Sequence, residues 1–146
     1  MKGRLPRIST TSGAPSKPVH SLAALDKALL DAYDLMQRSI LQNDFVVVGD
    51  AGRCLKERRG LDCEGLDFVI PKKLLNTQVI DMIKEWADPN MNEQGFSYQV
   101  GGVPLRFKFV GEYDYFKFAD VRPYGPEQYR IPNQWDEYWQ HREEIQ

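Results

Sequence analysis

Residues 45–70 read FVVVGDAGRCLKERRGLDCEGLDFVI. The opening FVVV has no polar alternation, which predicts a strand that is buried on both faces. Gly49 and Gly52 predict a tight turn into a short helix, and such a turn exposes backbone N–H groups that can hold phosphate oxygens. After a basic segment and several acids, the residues DFVI predict a second buried strand that ends at Pro71. This stretch therefore predicts two short buried strands that are joined by a helical turn and a charged segment.

The segments on either side of this stretch predict two amphipathic helices. Residues 21–43 carry apolar side chains at spacings of three and four, and Ser21 is a good N-cap for them. Residues 72–86 repeat the same periodicity up to Trp86. The apolar stripe of each helix is expected to pack against the two buried strands.

The C-terminal half predicts more strands and a final helix. Residues 96–100 and 105–110 flank a Gly-Gly turn and predict a hairpin, and residues 115–121 predict a third strand. Asn133 can cap a last helix with an aromatic face, which is expected to dock on the core. The expected fold class is α+β, a mixed β-sheet with packed helices.

The composition indicates one globular domain that follows a distinct N-terminal leader. The 146 residues are long enough to bury a core of their own, and no run approaches the ~18 apolar residues of a membrane span. Residues 1–20 carry a charge of +4, contain no acid and are rich in Pro, Ser, Thr and Gly. They predict a disordered basic leader, followed by one domain over residues 21–146.

Charge and targeting patterns limit the expected partners and location. Because the whole chain has a net charge of −2, residues 21–146 carry −6, which argues against broad electrostatic binding of nucleic acid. The leader has no apolar segment, so a cytoplasmic location is expected, with organelle targeting by the basic leader as the alternative. Cys54 and Cys63 are expected to be free thiols.

The order of strand, glycine turn, basic spacer and acid before a second strand resembles the nucleotidyltransferase superfamily. The signature of that superfamily begins with a hydrophobic residue, which is followed by Gly and then by either Gly or Ser. After a spacer comes an acid–x–acid pair that leads into a hydrophobic strand. The basic spacer is most similar to the AbiEii toxin-like and LicD-like branches, and the resemblance covers roughly residues 29–86. It implies a small nucleotidyltransferase-like domain that transfers a nucleotidyl group from a nucleoside triphosphate to an acceptor with Mg²⁺.

The resemblance also implies roles for particular residues. Asp67 and Glu64 are the implied catalytic residues and Mg²⁺ ligands, since paired carboxylates can share divalent cations. The alternative for the cations of the spacer is a solvated helix face. The implied nucleotide-binding residues are those of the glycine turn and the basic spacer: Gly49, Asp50, Gly52, Arg53, Lys56, Arg58 and Arg59.

The sequence departs from the signature at the acid pair, and two registers compete. Asp50 stands where the signature has Gly or Ser. In one register Asp62 and Glu64 are the pair, but Gly65 follows where the strand should continue. In the other register Asp67 is the second acid and Gly65 replaces the first. We prefer the second register because the apolar strand fixes the face of Asp67. Glu64 can reach the same face only if the chain kinks at Gly65.

The expected third carboxylate also departs from the signature. The signature has this carboxylate on a later strand, which here is the strand predicted over residues 105–110. That strand carries Arg106 and Lys108 instead of an acid, and a cation opposes the binding of a nearby divalent ion. Asp120 could replace the missing acid only if its strand neighbours that of Asp67; the alternative is an exposed edge strand.

Because the carboxylate set is incomplete, two functions stay open. One is Mg²⁺-dependent nucleotidyl transfer, and the other is a catalytically inactive module of the same fold that binds nucleotide or a protein partner.

Overall fold

A computed structural model describes residues 19–39, 45–111 and 119–132. Residues 1–18 of the predicted leader, most of the strand predicted at 115–121 and the helix predicted after Asn133 lie outside these ranges. Within the described part of the chain, no helix combines the length and the apolar character that a membrane crossing requires.

The described residues form three α-helices, a short 3₁₀ helix and seven strands. In chain order they are α1 (Leu22–Arg38), β1 (Val46–Val48), α2 (Gly49–Lys56), β2 (Leu66–Pro71), the 3₁₀ helix (Lys72–Leu74), α3 (Thr77–Ala87), β3 (Asn90–Met91), β4 (Gly95–Val100), β5 (Val103–Val110), β6 (Asp120–Tyr124) and β7 (Glu127–Ile131).

Five of the strands form one mixed sheet in the order β1-β2-β5-β4-β3. Strands β2 and β5 are parallel, and the other neighbours in this sheet are antiparallel. Strands β6 and β7 form a separate antiparallel pair. The predicted α+β class with a mixed sheet and packed helices is confirmed.

Both predicted amphipathic helices are present, and side-chain caps set where they begin. The Ser21 hydroxyl accepts a hydrogen bond from the N–H of Ala24, so α1 starts as predicted. The second helix was predicted over residues 72–86, but only α3, from Thr77, is α-helical. Its N-cap is Asn76, whose side chain accepts from the N–H of Val79, and the residues before it form the 3₁₀ helix instead.

The predicted hairpin is also present, and its turn explains the two glycines. Gly101 and Gly102 have φ values of 57° and 84°, which are favoured by glycine. Two successive positive φ values are typical of the tight turns that join antiparallel strands. The turn therefore fixes the register of β4 against β5, and β5 in turn lies beside β2.

The two faces of the main sheet have different roles. One face carries Phe68 and Phe107, whose rings stack with centroids 4.5 Å apart, and it packs against α1 and α3 in the main core. Because side chains alternate along a strand, Asp67 and Arg106 lie on the opposite face. That face also holds a smaller apolar cluster of Val46, Val48, Val69 and Val110. The polar residues of the second face form the candidate site.

The separate β6–β7 pair is not predicted from the sequence. The predicted strand at 115–121 overlaps β6 only at Asp120 and Val121, and no strand was predicted at β7. Strand β7 contributes Tyr129 and Ile131 to the main core, and both are buried. The pair therefore contributes to the core although its two strands form a sheet of their own.

The Tyr124 hydroxyl links the β6–β7 pair to helix α1, and removing this hydroxyl should destabilise the fold moderately. Its hydroxyl donates to Asp26 at 2.6 Å and accepts from the N–H of Leu61 at 3.2 Å. Tyr124→Phe should lower the free energy of unfolding by about 1–2 kcal/mol, because it leaves the N–H of the buried Leu61 without this acceptor. Urea unfolding of the two proteins at neutral pH measures the difference.

The pH dependence of that difference has a defined sign. Burial, and then the hydrogen bond to Asp26, raises the pKa of Tyr124 to about 12 from its usual 10.0. A raised pKa means that the neutral phenol stabilises the fold below pH 10 and that this contribution is lost as the pH rises toward 12. The difference in the free energy of unfolding between the unchanged protein and Tyr124→Phe should therefore decrease between about pH 10 and 12. A difference that increases there would contradict the assignment.

Candidate active site

The structure brings Asp67 and Gly49 together, as the sequence predicts. Asp67 on β2 is paired with Val48, the last residue of β1, and Gly49 follows directly. Both residues line one open cavity of about 860 Å³ on the second face of the main sheet. The glycine bend and the acid are thus neighbours through strand pairing, although seventeen residues (50–66) separate Gly49 from Asp67 in sequence.

The bend at Gly49 is one that glycine favours, because its φ is 68°. Helix α2 begins there, and Asp50 is the acid in its first turn. The side chain of Asp50 is exposed and lines the cavity. An acid in this position interacts favourably with the positive end of the helix dipole, so it reduces the attraction of that helix end for a phosphate.

The central feature of the site is an ion-pair cluster around Arg106. Its Nε donates to Asp67 Oδ1 at 2.7 Å and its Nη2 donates to Asp67 Oδ2 at 3.3 Å. The same Nη2 donates to Glu64 Oε1 at 3.0 Å, and Nη1 donates to Glu64 Oε2 at 3.4 Å. One guanidinium therefore binds both predicted metal ligands, and these contacts raise the pKa of Arg106 above its ordinary value, chiefly through the hydrogen bond to Asp67.

Gly65 allows this cluster to form. A Cβ at this position would lie 2.7 Å from Nη2 of Arg106 and 2.9 Å from Cγ of Pro104, closer than real contacts allow. The bend at Glu64 and Gly65 brings the Glu64 carboxylate to the side of Asp67, which a fully extended chain would not do. The glycine that stands in place of the first acid thus leaves room for the guanidinium of Arg106 and for Pro104.

The described residues do not fit a resident Mg²⁺. No group of three or more His, Cys, Asp or Glu side chains is placed to hold a metal ion in the part of the chain that the structure describes. The two acids that converge, Asp67 and Glu64, direct their oxygens to Arg106, whose positive charge opposes a divalent cation.

Asp120, the conditional replacement for the third acid, is not part of the cluster. Asp120 lies on β6, where it pairs with Ile131, and its carboxylate is 3.9 Å from Arg122. The neighbours of Asp67 in its own sheet are Val48 and Arg106. The condition that the Asp120 strand neighbours Asp67 is therefore not met.

The rest of the predicted nucleotide-binding set does not line the cavity. Gly52 is buried in α2, where a Cβ would lie 2.6 Å from the carbonyl oxygen of Val47, so its absent side chain serves close packing of α2 on β1. The residues that line the cavity include Gly49 and Asp50 but none of four spacer cations. Those four are Arg53, Lys56, Arg58 and Arg59, of which Arg59 forms an ion pair with Glu57 at 2.7 Å.

Sequence reasoning missed a polar wall, which we define as Asn90, Asn92, Gln94 and Ser97. All four line the cavity, across β5 from Asp67. Asn92 Oδ1 accepts hydrogen bonds from the N–H groups of Gln94 at 2.7 Å and Gly95 at 3.2 Å, which fixes the turn between β3 and β4. Residues 87–95 are rich in Asp, Asn and Gly, a composition typical of a loop, and only the strand pairing places them at the cavity.

Cys63 adds no nucleophile to the site. Burial, and then the nearby Cys54 and Asp50, raises the pKa of Cys63 to about 12. The thiolate is the nucleophilic form of cysteine, so at neutral pH this side chain is a protonated thiol. Covalent catalysis through Cys63 is not expected.

Comparison with solved structures supports the fold that the geometry suggests. A protein from Thermotoga maritima, provisionally assigned as a nucleotidyltransferase, superposes with a TM-score of 0.60 over 82% of this chain and 83% of its own, at 11% identity. The fold is nucleotidyltransferase-like. The aminoglycoside nucleotidyltransferase ANT(2″)-Ia, in complex with adenylyl-2″-tobramycin, superposes with a TM-score of 0.52 over 82% of this chain and 78% of its own, at 12% identity.

Sequence comparisons add nothing to this result. No family model matches the chain, and no curated protein matches it either. The similarity to the AbiEii toxin-like and LicD-like branches therefore stays a prediction.

Proposed function

We propose that this chain is a nucleotide-binding protein of the nucleotidyltransferase-like fold that works without Mg²⁺. The observation that carries the proposal is the binding of Arg106 to both Asp67 and Glu64. In nucleotidyl transfer these carboxylates would serve a divalent cation. Here their negative charge is partly neutralised by a guanidinium that belongs to the chain.

The cavity supports a nucleotide as the ligand. Its volume of about 860 Å³ is within the usual range of small-molecule sites. Its walls offer backbone at the Gly49 bend, amides in the polar wall and positive charge at Arg106 and Lys108. Such groups can hydrogen-bond a base or ribose on one side and contact a phosphate on the other. A protein partner, the other ligand expected from the sequence, stays a prediction.

A binding titration tests the proposal. The four ribonucleoside monophosphates and triphosphates are titrated into the protein by calorimetry, once with EDTA and once with Mg²⁺. We expect at least one monophosphate to bind with a dissociation constant that does not change on chelation. Binding that disappears with EDTA would contradict the proposal.

A matched pair of variants locates the binding on the sheet. Ser97→Trp places a large side chain in the cavity and should abolish binding. Gln99→Trp places the same side chain two residues along β4, at an exposed position outside the cavity, and should leave binding intact. Equal loss in both variants, or in neither, would place the nucleotide elsewhere.

Mg²⁺-dependent nucleotidyl transfer is the second candidate, and one observation favours it. Asp67 and Glu64 converge on the same nitrogen, Nη2 of Arg106, at 3.3 and 3.0 Å. The two carboxylates are therefore close enough to act together if the guanidinium moves away. Transfer of label from an α-labelled triphosphate to an acceptor, lost in Asp67→Asn, would establish this function in place of metal-independent binding.

A further inference from the structure

The charge balance of the cavity limits the ligand it can take. Resting on the proposed nucleotide binding, we infer that the site prefers a nucleoside monophosphate to the di- and triphosphates of the same base. The preference follows from the charges on the walls and from the donors that Arg106 has already committed.

The charged side chains that line the cavity cancel. Asp50 and Asp67 contribute two negative charges, and Arg106 and Lys108 contribute two positive charges. Glu64 binds the same guanidinium as Asp67 and adds one further negative charge beside the cavity. These five side chains therefore carry one net negative charge, which the positive end of α2 at Gly49 offsets only in part. A site of this charge is unusual for the binding of a polyanion without a metal.

Arg106 has little hydrogen-bonding capacity left for a phosphate. A guanidinium has five N–H donors. Asp67 and Glu64 occupy four of them: the Nε donor, both donors of Nη2 and one of Nη1. A bidentate contact with phosphate needs two donors on one edge, so it requires a carboxylate to be released first. The arginine can therefore offer a single donor while the cluster is intact.

The polar wall provides recognition that carries no charge. Asn90, Asn92, Gln94 and Ser97 can donate to or accept from a base or a ribose regardless of the phosphate count. The turn that holds Asn92 and Gln94 is fixed by backbone hydrogen bonds, among them Phe109 N–H to the Gln94 carbonyl oxygen at 2.9 Å. The base and ribose thus have well-placed hydrogen-bonding partners, whereas the phosphate has few.

A longer phosphate chain should therefore weaken binding. A monophosphate carries about −2 at neutral pH, and each further phosphate adds about one more negative charge. Repulsion of two added negative charges by a site whose net charge is negative, at partly screened distances, is expected to weaken binding about tenfold. Size does not provide the same discrimination, because the cavity is open and a longer chain can extend into solvent.

The test compares each ribonucleoside monophosphate with its triphosphate by calorimetry in EDTA, for the unchanged protein and two variants. We expect the monophosphate to bind about tenfold more tightly at low salt, with a smaller ratio at high salt. Asp50→Asn removes a negative charge at the cavity and should reduce the ratio. Asp81→Asn removes the same charge from the exposed surface of α3 and should leave the ratio unchanged.

The outcomes separate this inference from the proposed function. A triphosphate that binds as tightly as its monophosphate in EDTA would overturn the inference and leave metal-independent nucleotide binding intact. A monophosphate preference that ignores both salt and Asp50→Asn would also overturn it, since the cause would then be shape. If no nucleotide binds at all, the proposed function fails, and this inference fails with it.

Discussion

Arg106→Ala should bind divalent cations, whereas the unchanged protein should not. In the variant, Asp67 and Glu64 lose the guanidinium that holds four of its donors to their oxygens. Two carboxylates that converge on one point without a counter-charge attract a cation. Both are accessible, with side-chain exposures of 36% for Asp67 and 59% for Glu64, so an ion can reach them.

The size of the effect follows from linkage. If the variant binds Mn²⁺ with a millimolar dissociation constant, ~10 mM of the ion stabilises the folded state by about 1.4 kcal/mol. For a chain of this length that corresponds to a rise of about 3–6 °C in the midpoint of thermal unfolding. Differential scanning fluorimetry with and without Mn²⁺ measures the rise, and the unchanged protein should show none.

A double variant identifies the ligands. Arg106→Ala combined with Asp67→Asn removes the charge of the acid closest to the arginine, and the rise with Mn²⁺ should disappear. Arg106→Ala combined with Asp81→Asn removes an exposed acid on α3 and should keep the rise. A rise that survives Asp67→Asn would show that Mn²⁺ binds elsewhere, and no rise in Arg106→Ala would show that the arginine does not exclude the ion.

The sequence was sufficient to predict that the turn at Gly49 and Asp67 meet at the site. The strand FVVV, the turn at Gly49 and the strand that carries Asp67 are each encoded by local patterns: an apolar run, a glycine and a second apolar run. Two adjacent buried strands usually lie in the same sheet. The expected proximity of Asp67 to Gly49 therefore follows from short-range features and is found in the structure.

The ion-pair cluster could not be predicted in the same way. The sequence showed cations on the later strand, but their effect on Asp67 depends on the parallel register of β2 with β5, which pairs Asp67 with Arg106 across 39 residues. No local pattern specifies that register. The basic spacer shows the opposite case. Its four cations are close together in sequence, but none of them lines the cavity once α2 packs its buried face on the sheet.

Gly65→Ala should destabilise the fold by about 1–3 kcal/mol, the usual cost of adding a methyl group to a site with no space. The new Cβ would lie 2.7 Å from Nη2 of Arg106, 2.9 Å from Cγ of Pro104 and 3.0 Å from its carbonyl oxygen. In the Arg106→Ala background the first of these contacts is absent. The same substitution should then cost about 1 kcal/mol less, which is within the range of coupling between contacting residues.

Urea unfolding of the four proteins in this cycle measures the coupling, provided that the m-values agree. Gly111→Ala is the matched control, because a Cβ there meets no heavy atom of the described residues within 4 Å and its cost should be the same with and without Arg106. Additive costs for Gly65→Ala and Arg106→Ala would contradict the close contact. A measured coupling would mean that the glycine in place of the first acid and the arginine beside Asp67 depend on each other. Restoring an acid at Gly65 alone would then disturb the cluster without creating a metal site.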